Sequence, residues 1–386
     1  MKVYRYLLIF FTQFFIFNKA FSEVLKKDTY YFPYLSGSIL VEEKYDRLLD
    51  DNDGMAGDRK SLLFTNIDTE LGVHFTNNFL LNTRILFRPA TERVNNLEYI
   101  YSDSYGNEKI LTRDLYFLKG HGFIFKEIYF EYKEEYFLAG VGKFNPVFGF
   151  AHKNDRYYGI FGQNIVDQYK LTEVIGIFVA MQLPMLNLRL DLFNRDKTFL
   201  SGSLLGSRNS YKSEYGVGSA NDFLNFSLSG DFLINENSRM NFAYKSLGVK
   251  NENFKKTESS FLAGIEYISE EGQFNLGYAA SAEAVYVNNY NGDAGRHVCF
   301  LTANLPFFYS GWNFGINYSL KMDFEENFDT AFSQLFGASI GYMFKNGITL
   351  DIARKFEREI YKINKTTKDK FNLSSWGIKI SYRIKF

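Results

Sequence analysis

The sequence predicts an all-β fold: a transmembrane antiparallel β-barrel of about 16 strands, an even number as expected for such barrels. Three observations support this prediction. Apolar and polar residues alternate in segment after segment, and aromatic residues make up 19% of the chain. The connections between segments also alternate between short and long. Strands that meet lipid on one face and water on the other need the alternation, and aromatic belts at the two interfaces need the aromatic residues.

The last segment shows this alternation most clearly. Every second residue from Trp376 to Phe386 is apolar, whereas polar residues such as Lys379 and Arg383 share the other face. A soluble edge strand could show the same pattern, so the barrel prediction rests on the rest of the chain as well.

The first 22 positions read as a secretory signal peptide. Lys2 and Arg5 precede an apolar run from Tyr6 to Phe17, and Ala20 and Ser22 place small residues before a cleavage site. The run is too short for a spanning helix, which needs about 20 residues. We therefore expect export through a cleaved signal (1–22) to the outer membrane of a Gram-negative bacterium, with residues 23–386 forming one barrel domain.

Read with a period of two, the chain divides into segments with one apolar face. The predicted strands are 34–46, 61–75, 79–89, 124–133, 136–144, 171–182, 185–193, 222–234, 239–247, 258–268, 273–287, 297–305, 312–323, 334–344, 348–360 and 372–386. Totals of about 14 or 18 strands remain open, because boundaries read from sequence carry errors of about 2–4 residues.

The predicted connections separate into two sets. Short ones fall at 77–78, 134–135, 183–184, 235–237, 270–272, 306–311 and 345–347, and long ones at 47–60, 90–123, 145–170, 194–221, 248–257, 288–296, 324–333 and 361–371. Barrels have short periplasmic turns and long outer loops, so both termini should lie in the periplasm. Aromatic residues beside the turns, such as Phe75 and Phe79, suit an interfacial girdle or ordinary cross-strand packing.

Composition excludes several functional classes. Basic and acidic residues balance at 44 each, which gives no basic excess for nucleic acid. Cys299 is the single cysteine, and the four histidines are dispersed without metal-ligand spacing. The run Asp50–Gly54 fails as a calcium loop because Leu49 and Lys60 replace required ligands. We expect no cofactor, no metal, no catalytic residues and no enzymatic activity.

The densest local motif is Gly142-Lys-Phe-Asn-Pro-Val-Phe-Gly149, followed by Tyr158-Gly-Ile-Phe-Gly162. It resembles a segment of porin-like outer-membrane barrels, among them the phosphate-selective porins and their relatives, over about 30 residues. The resemblance implies that the loop after strand five folds into the lumen. The chain's ending also resembles the closing strand of such barrels, where Tyr382, Ile384 and Phe386 would form the signal read by the insertion machinery. Porins of this size are commonly homotrimers.

Four charged residues in this loop are candidates for a pore constriction: Lys153, Asp155, Arg156 and Asp167. Facing charges of opposite sign on the barrel wall, they would set a transverse field that sorts small solutes. The alternative is a solvated surface loop with scattered charges.

The candidate pore-wall residues lie at polar positions of the predicted strands. They include Arg84, Arg88, Glu127, Glu131, Arg189 and Asp191. Their mixed sign favours a weakly selective, water-filled channel and gives no basic ladder for phosphate. They could instead solvate a filled lumen.

The predicted function is that of an outer-membrane porin through which small hydrophilic solutes and ions diffuse passively. The alternative is a surface adhesin whose long loops bind a host partner. Two further functional classes are alternatives. One is an outer-membrane phospholipase or protease, which needs a histidine beside a serine and a third polar group. The other is a transporter of hydrophobic solutes.

Overall fold

The computed structural model describes residues 32–51, 61–89, 121–150, 163–196, 198–203, 216–217, 225–250, 255–269, 276–325, 328–364 and 367–386. Within these ranges seventeen strands form one sheet. They are β1 (Tyr34–Asp51), β2 (Ser61–His74), β3 (Phe79–Pro89), β4 (His121–Lys133), β5 (Phe137–Phe144), β6 (Val174–Gln182), β7 (Leu186–Arg195), β8 (Gly216–Val217), β9 (Phe226–Asn235), β10 (Ser238–Lys250), β11 (Lys255–Ser269), β12 (Leu276–Asn288), β13 (Arg296–Tyr309), β14 (Trp312–Glu325), β15 (Phe328–Met343), β16 (Ile348–Asn364) and β17 (Thr367–Lys385). A single turn of α-helix, α1 (Gln163–Val166), lies between β5 and β6.

No helix in these ranges has both the length and the apolar character needed to cross a membrane.

The sheet closes into a barrel because its last strand pairs with its first. β17 runs antiparallel to β1, with Lys385 opposite Ser38 and Tyr382 opposite Val41. Every other neighbouring pair is antiparallel too, and β7 pairs directly with β9. The two-residue β8 only extends the ladder beside the end of β10. Sixteen strands, all except β8, therefore form the ring in the described chain, which confirms the predicted fold class.

The two faces of the wall differ as the alternation predicts. On β16, Ile352 and Phe356 point outward and are nearly half exposed, whereas Lys355 between them points inward and is 1% exposed. Leu188 and Ile316 are likewise exposed on the outer face. So many exposed apolar side chains on one surface would be unfavourable in water. The outer face is therefore suited to contact lipid.

The predicted alternation of short and long connections is only partly confirmed. The predicted short turns that the structure describes lie at one end of the barrel. Three loops predicted as long, 248–257, 324–333 and 361–371, are wrong in extent, because β10, β11 and β14–β17 continue into them. These strand ends carry charged residues at both parities, as in Lys368-Asp-Lys370. Where both faces meet water the apolar signal disappears, although the backbone ladder continues.

The turn predicted at 306–311 is also shorter than expected. Pro306 lies within β13, opposite Gly315 of β14. Only Ser310 and Gly311 form the turn, with φ values of 46° and 85°. Two successive residues with positive φ are the mark of a type I′ hairpin, whose twist matches that of the strands.

Topology can be tested by labelling in whole cells. On a Cys299→Ser background, cysteines at Asn77, Glu236 and Asn346, all in short turns, are expected to resist an impermeant thiol reagent. A cysteine at Asn291, in the exposed connection between β12 and β13, is expected to react. The inverse pattern would reverse the orientation of the barrel, and a mixed pattern would contradict the strand order.

Candidate functional site

The connection between β5 and β6 enters the barrel. Its residues Phe148, Ile165, Val166 and Tyr169 are each at most 2% exposed. They share one hydrophobic cluster with residues of the opposite wall: Ala243, Leu262, Val285, Val287, Tyr290, Val298, Phe300 and Leu335. The strand positions beside these wall residues, such as Phe261 and Leu301, are exposed on the outer face, so the cluster lies inside. The predicted inward-folded loop is thus confirmed for its described stems, 145–150 and 163–173.

One carboxylate holds both stems to the wall. Glu283, on the inner face of β12, accepts a hydrogen bond from the backbone N–H of Phe150, with an N···O distance of 2.8 Å. It also accepts one from the hydroxyl of Tyr169. Phe150 and Tyr169 flank the central part of the loop, so Glu283 fixes the loop at two points. We name this arrangement the Glu283 clamp.

A lysine on the neighbouring wall strengthens the clamp. Lys245 Nζ of β10 donates to the backbone carbonyl of Tyr169 at 2.7 Å. The same ammonium lies 4.8 Å from the centroid of the Phe148 ring, close enough for a cation–π interaction. Lys245 therefore contacts each stem once, as Glu283 does.

The loop is also closed at its base. Asn145, directly after β5, donates through its side-chain amide to Glu127 of β4. Its Oδ1 accepts the backbone N–H of Glu173, directly before β6, at 2.7 Å. One side chain thus links the two ends of the loop to each other and to the wall.

The geometry explains the motif Gly142–Gly149 residue by residue. A Cβ on Gly142 (φ 140°) would lie 2.4 Å from the carbonyl oxygen of Ile128, and a Cβ on Gly149 (φ 80°) would lie 2.6 Å from Glu283 Oε2. Side chains are excluded at both positions for these reasons. Phe144 packs inward against Phe178, with ring centroids 5.0 Å apart. The motif is therefore a loop-anchoring device.

The motif's lysine belongs to a buried charge cluster on the other side of the wall. Lys143 lies 2.8 Å from Asp196 and 3.5 Å from Glu173, and Lys126 pairs with Glu173 as well. Two cations and two carboxylates compensate each other, as burial requires. Lys143 Nζ also donates to the carbonyl of Leu200 at 2.9 Å. The cluster ties the loop's second end and the segment after β7 to the barrel.

The structure places the predicted wall charges on the inner face and brings several together. Arg84 Nε donates to Asp68 at 3.0 Å, and its Nη1 lies 3.7 Å from Glu127. Glu131 accepts from Asn82 at 3.4 Å. Arg84 keeps about a third of its side chain exposed, at 33%. Arg88 lies four residues after Arg84, on the same face of β3, and is half-buried.

Arg189 and Asp191 form a pair on β7. Arg189 Nε donates to Asp191 Oδ1 at 2.7 Å, and its guanidinium carbon lies 4.0 Å from the centroid of the Phe178 ring. Asp191 is fully buried, whereas Arg189 is half-buried. Arg189 therefore borders the lumen, and the more deeply buried Asp191 fixes the orientation of the Arg189 guanidinium. That these groups act on permeating solutes stays a prediction.

The four constriction candidates are mostly beyond the described residues. Lys153, Asp155 and Arg156 lie outside them. Asp167 is exposed and forms an ion pair with Lys170, three positions along the same turn. Its role in a narrow zone of the pore stays a prediction.

The carboxyl terminus completes the barrel seam. Phe386 exchanges two backbone hydrogen bonds with Gly37 of β1, with N···O distances of 2.9 and 3.1 Å. Tyr382 and Ile384 face the same side of β17, opposite Val41 and Ile39. The predicted insertion signal is thus also the seam of the barrel, and its reading by an insertion machinery stays a prediction.

The histidine–serine criterion for an enzyme can be applied to the described residues. Ser36 Oγ lies 2.8 Å from His74 Nε2, and the His74 ring stacks on Tyr34 with centroids 4.1 Å apart. In this part of the chain the pair is accompanied by no carboxylate or amide contact that would orient the imidazole as in a triad. Within the described residues, no group of three or more histidine, cysteine or acidic side chains could hold a metal.

Sequence reasoning missed the residues that hold the loop. Glu283 carries the single charge in the segment Ala279-Ala-Ser-Ala-Glu-Ala284, and an isolated charge among small residues on an inward face was the available signal. Asn145 and Lys143 stood inside the motif, but their partners Glu127, Glu173 and Asp196 are distant in sequence. The pattern could mark their importance but not their contacts.

Comparison with known proteins agrees with this geometry at the level of fold. OmpT, an outer-membrane protein of Vibrio cholerae, superposes in its trimer form with a TM-score of 0.53 at 8% identity, covering 91% of this chain and 99% of that one. The outer-membrane expressed form of OmpT gives 0.53 at 9% identity, covering 91% and 97%. The chain has the fold of a closed antiparallel outer-membrane β-barrel. OccAB1 of Acinetobacter baumannii gives a TM-score of 0.49 at 12% identity, covering 91% and 97%. No family model and no curated protein matches the sequence.

Proposed function

We propose that this barrel is a porin, a passive channel for small hydrophilic solutes and ions. The observation that carries the proposal is the Glu283 clamp, which holds the β5–β6 loop inside the lumen. A loop with no role in the bore would not need a buried carboxylate, a buried lysine and a hydrophobic cluster to keep it there. Narrowing a water-filled bore is the function that such an arrangement serves.

The inner wall supports a route beside the loop. The loop packs on β10–β13, and inward charges there, such as Lys245 and Glu266, are buried. Inward charges on β2, β3 and β17, such as Glu70, Arg84 and Arg383, remain half-buried or exposed. Solutes would therefore pass along the side formed by β2, β3 and β17. Both signs occur on that side, which favours weak ion selectivity.

The remaining parts of the proposal concern assembly. Lipid would surround the apolar outer face, a barrel-insertion machinery would read Phe386, and the channel would assemble as a homotrimer. The adhesin alternative depends on residues 90–120 and 204–215, which lie outside the described residues. The signal peptide also lies outside them.

Conductance of the purified protein in a planar bilayer tests the proposal directly. Stepwise, ohmic single-channel currents are expected. Folded protein, shown by heat-modifiable gel mobility, that inserts without conducting would contradict a porin.

A Glu283→Gln variant is expected to conduct with more open-channel noise and a larger mean conductance. Glutamine keeps one acceptor oxygen for the Phe150 N–H but presents an amide donor to the Tyr169 hydroxyl, so that second bond must reverse and both bonds lose the carboxylate charge, weakening the loop's attachment by about 1–3 kcal/mol. Single-channel recording measures both quantities. Asp351→Asn is the matched control, because Asp351 of β16 faces inward and pairs with Lys379 of β17, and neither strand contributes a residue to the loop's hydrophobic cluster. Equal noise in both variants would mean that Glu283 does not hold the loop.

A further inference from the structure

The outer surface of the barrel carries a cluster of arginines where lipid should lie. Among the outward-facing strand side chains that the structure describes, the exposed charges are Arg47 on β1 and Arg354 and Arg358 on β16. Arg354 and Arg358 alternate with the outward-facing Ile352 and Phe356. Arg47 and Arg354 lie on either side of Trp376 of β17, which pairs with both. The arginines thus occupy one patch on adjacent strands.

The depth of this patch follows from strand geometry. Phe344 lies at the short-turn end of the outer face and is exposed. Its N–H donates to the carbonyl of Ile348 at 2.8 Å, so Phe344 and Ile348 are level, and β16 spans about 33 Å from Ile348 to Arg358 at ~3.3 Å per residue. A strand tilt of about 40° reduces this to roughly 25 Å along the membrane normal, the height of the apolar band of such barrels. Arg358 therefore lies at the outer edge of that band, and Arg354 lies four residues deeper, with its guanidinium bonded outward to Ser374.

The patch surrounds a recess in the outer wall. The recess has a volume of about 470 Å³, and its lining includes Gln334, Phe336, Arg354, Phe356, Arg358 and Asn372. Arg354 donates to Ser374 Oγ at 3.1 Å, and its guanidinium carbon lies 5.0 Å from the Phe356 ring centroid. Among the described side chains, neither Arg354 nor Arg358 forms an ion pair with a carboxylate. Most of their N–H donors therefore point into the recess or to its rim.

The chemistry of the recess selects a phosphate. Two guanidinium groups present forked donors that match phosphate oxygens, and the amides of Gln334 and Asn372 add neutral donors. Between the two arginines, Phe356 and its ladder partner Phe336 offer an exposed apolar surface. A soluble anion would use only the polar groups of this site, whereas a lipid with a phosphate-bearing headgroup would use the polar groups and the apolar surface.

We infer that this recess binds an anionic lipid of the outer leaflet whose headgroup carries phosphate monoester groups, in preference to a zwitterionic phosphodiester lipid. Arg354 and Arg358 contact its phosphate, and Phe336 and Phe356 contact the start of an acyl chain. The site lies on the outside of the wall and is independent of the pore. Its failure would leave the proposed channel function untouched.

Lipid retention by the purified barrel tests the inference. The protein is equilibrated with phosphatidylcholine vesicles containing a small fraction of a bisphosphorylated glycolipid, extracted, and measured by native mass spectrometry. The natural chain is expected to retain the glycolipid over phosphatidylcholine. R354Q and R358Q are each expected to weaken retention about tenfold, the effect of losing one charge-assisted contact. R383Q, which removes an arginine from the inner face of β17, is the matched control and is expected to retain the lipid.

Two further arms separate the sources of phosphate and the mode of contact. Inorganic phosphate alone is expected neither to displace the glycolipid nor to stabilise the barrel against heat. R354K with R358K keeps both charges but loses the forked geometry, so retention is expected between that of the natural chain and that of the glutamine variants. Equal retention by the natural chain and both glutamine variants would overturn the inference. So would a loss as large in R383Q, or displacement of the glycolipid by inorganic phosphate.

Discussion

Replacing residues 151–162 with a short Gly/Ser linker is expected to raise single-channel conductance and to relax the size limit for sugars. The strands on either side of this segment pair directly with each other, Phe144 of β5 opposite Val174 of β6, so assembly should proceed. The stems at 145–150 and 163–173 keep their contacts with Glu283 and Lys245, so the change is confined to the bore. Planar-bilayer recording gives the conductance, and swelling of proteoliposomes in sugars of increasing size gives the limit.

A matched control places the same linker at 204–215, between β7 and β9. That replacement is expected to leave conductance unchanged. If a correctly folded 151–162 variant conducts like the natural chain, the segment lies outside the pore. The predicted constriction would then have to be sought among the wall charges near Arg84 and Arg189.

Neutralising Lys153 and Arg156 together extends this prediction to selectivity. If these side chains line the narrowest zone, removing two positive charges should shift the reversal potential toward cations. The two variants test different properties. The loop replacement changes the width of the bore and so the conductance, whereas the charge change alters the electrostatic potential and so the ion selectivity.

An arginine in place of Ile316 is expected to destabilise the barrel by about 2–4 kcal/mol, the range for a charge on the lipid face near the membrane midplane. Ile316 is 44% exposed on the outer face and lies four positions along β14 from the girdle residue Trp312. Reversible urea unfolding in lipid vesicles measures the free energy of unfolding.

The control for this variant must face the lumen where there is room. Asn317 does not qualify, although the sequence pattern favours it, because it is 4% exposed and its Oδ1 would lie 2.4 Å from a Cβ on Gly337. Ser339 on β15 is half-buried on the inner face and lies opposite Gly315, which has no side chain, across the ladder. Ser339→Arg is therefore expected to be tolerated. Equal destabilisation by Ile316→Arg and Ser339→Arg would contradict the assignment of the two faces.

The fold could be predicted from sequence because its signal is local. On β16 each residue's face is set by its parity, so Ile352 and Lys355 could be assigned without knowing their neighbours. The seam at Phe386 was visible for the same reason. The outer ends of β16 and β17 could not be predicted, since charged residues there occupy both parities, as in Lys368-Asp-Lys370, and no apolar periodicity remains.

The site was predictable only in outline. The motif from Gly142 to Gly149 indicated an inward loop, but which wall residue holds it depends on ring closure. Glu283 meets Phe150 because β12 stands across the lumen from β5, a relation that no window of local sequence contains. Lys143 shows the opposite limit. It stands in a motif linked to the pore, yet its charge is compensated on the outer side of the wall by Asp196 and Glu173.

The Glu283 clamp also dictates an order of events during biogenesis. Its two bonds join residues 133 and 114 positions apart in the chain, and contacts of such long sequence separation form late. The loop emerges with the first half of the chain, but its anchor arrives only when β12 has joined the growing sheet. Until then the stems from Phe148 to Tyr169 have no far wall to pack against. We therefore expect the loop to narrow the lumen late in assembly. The width of the finished channel is set only after most of the strands have joined the sheet.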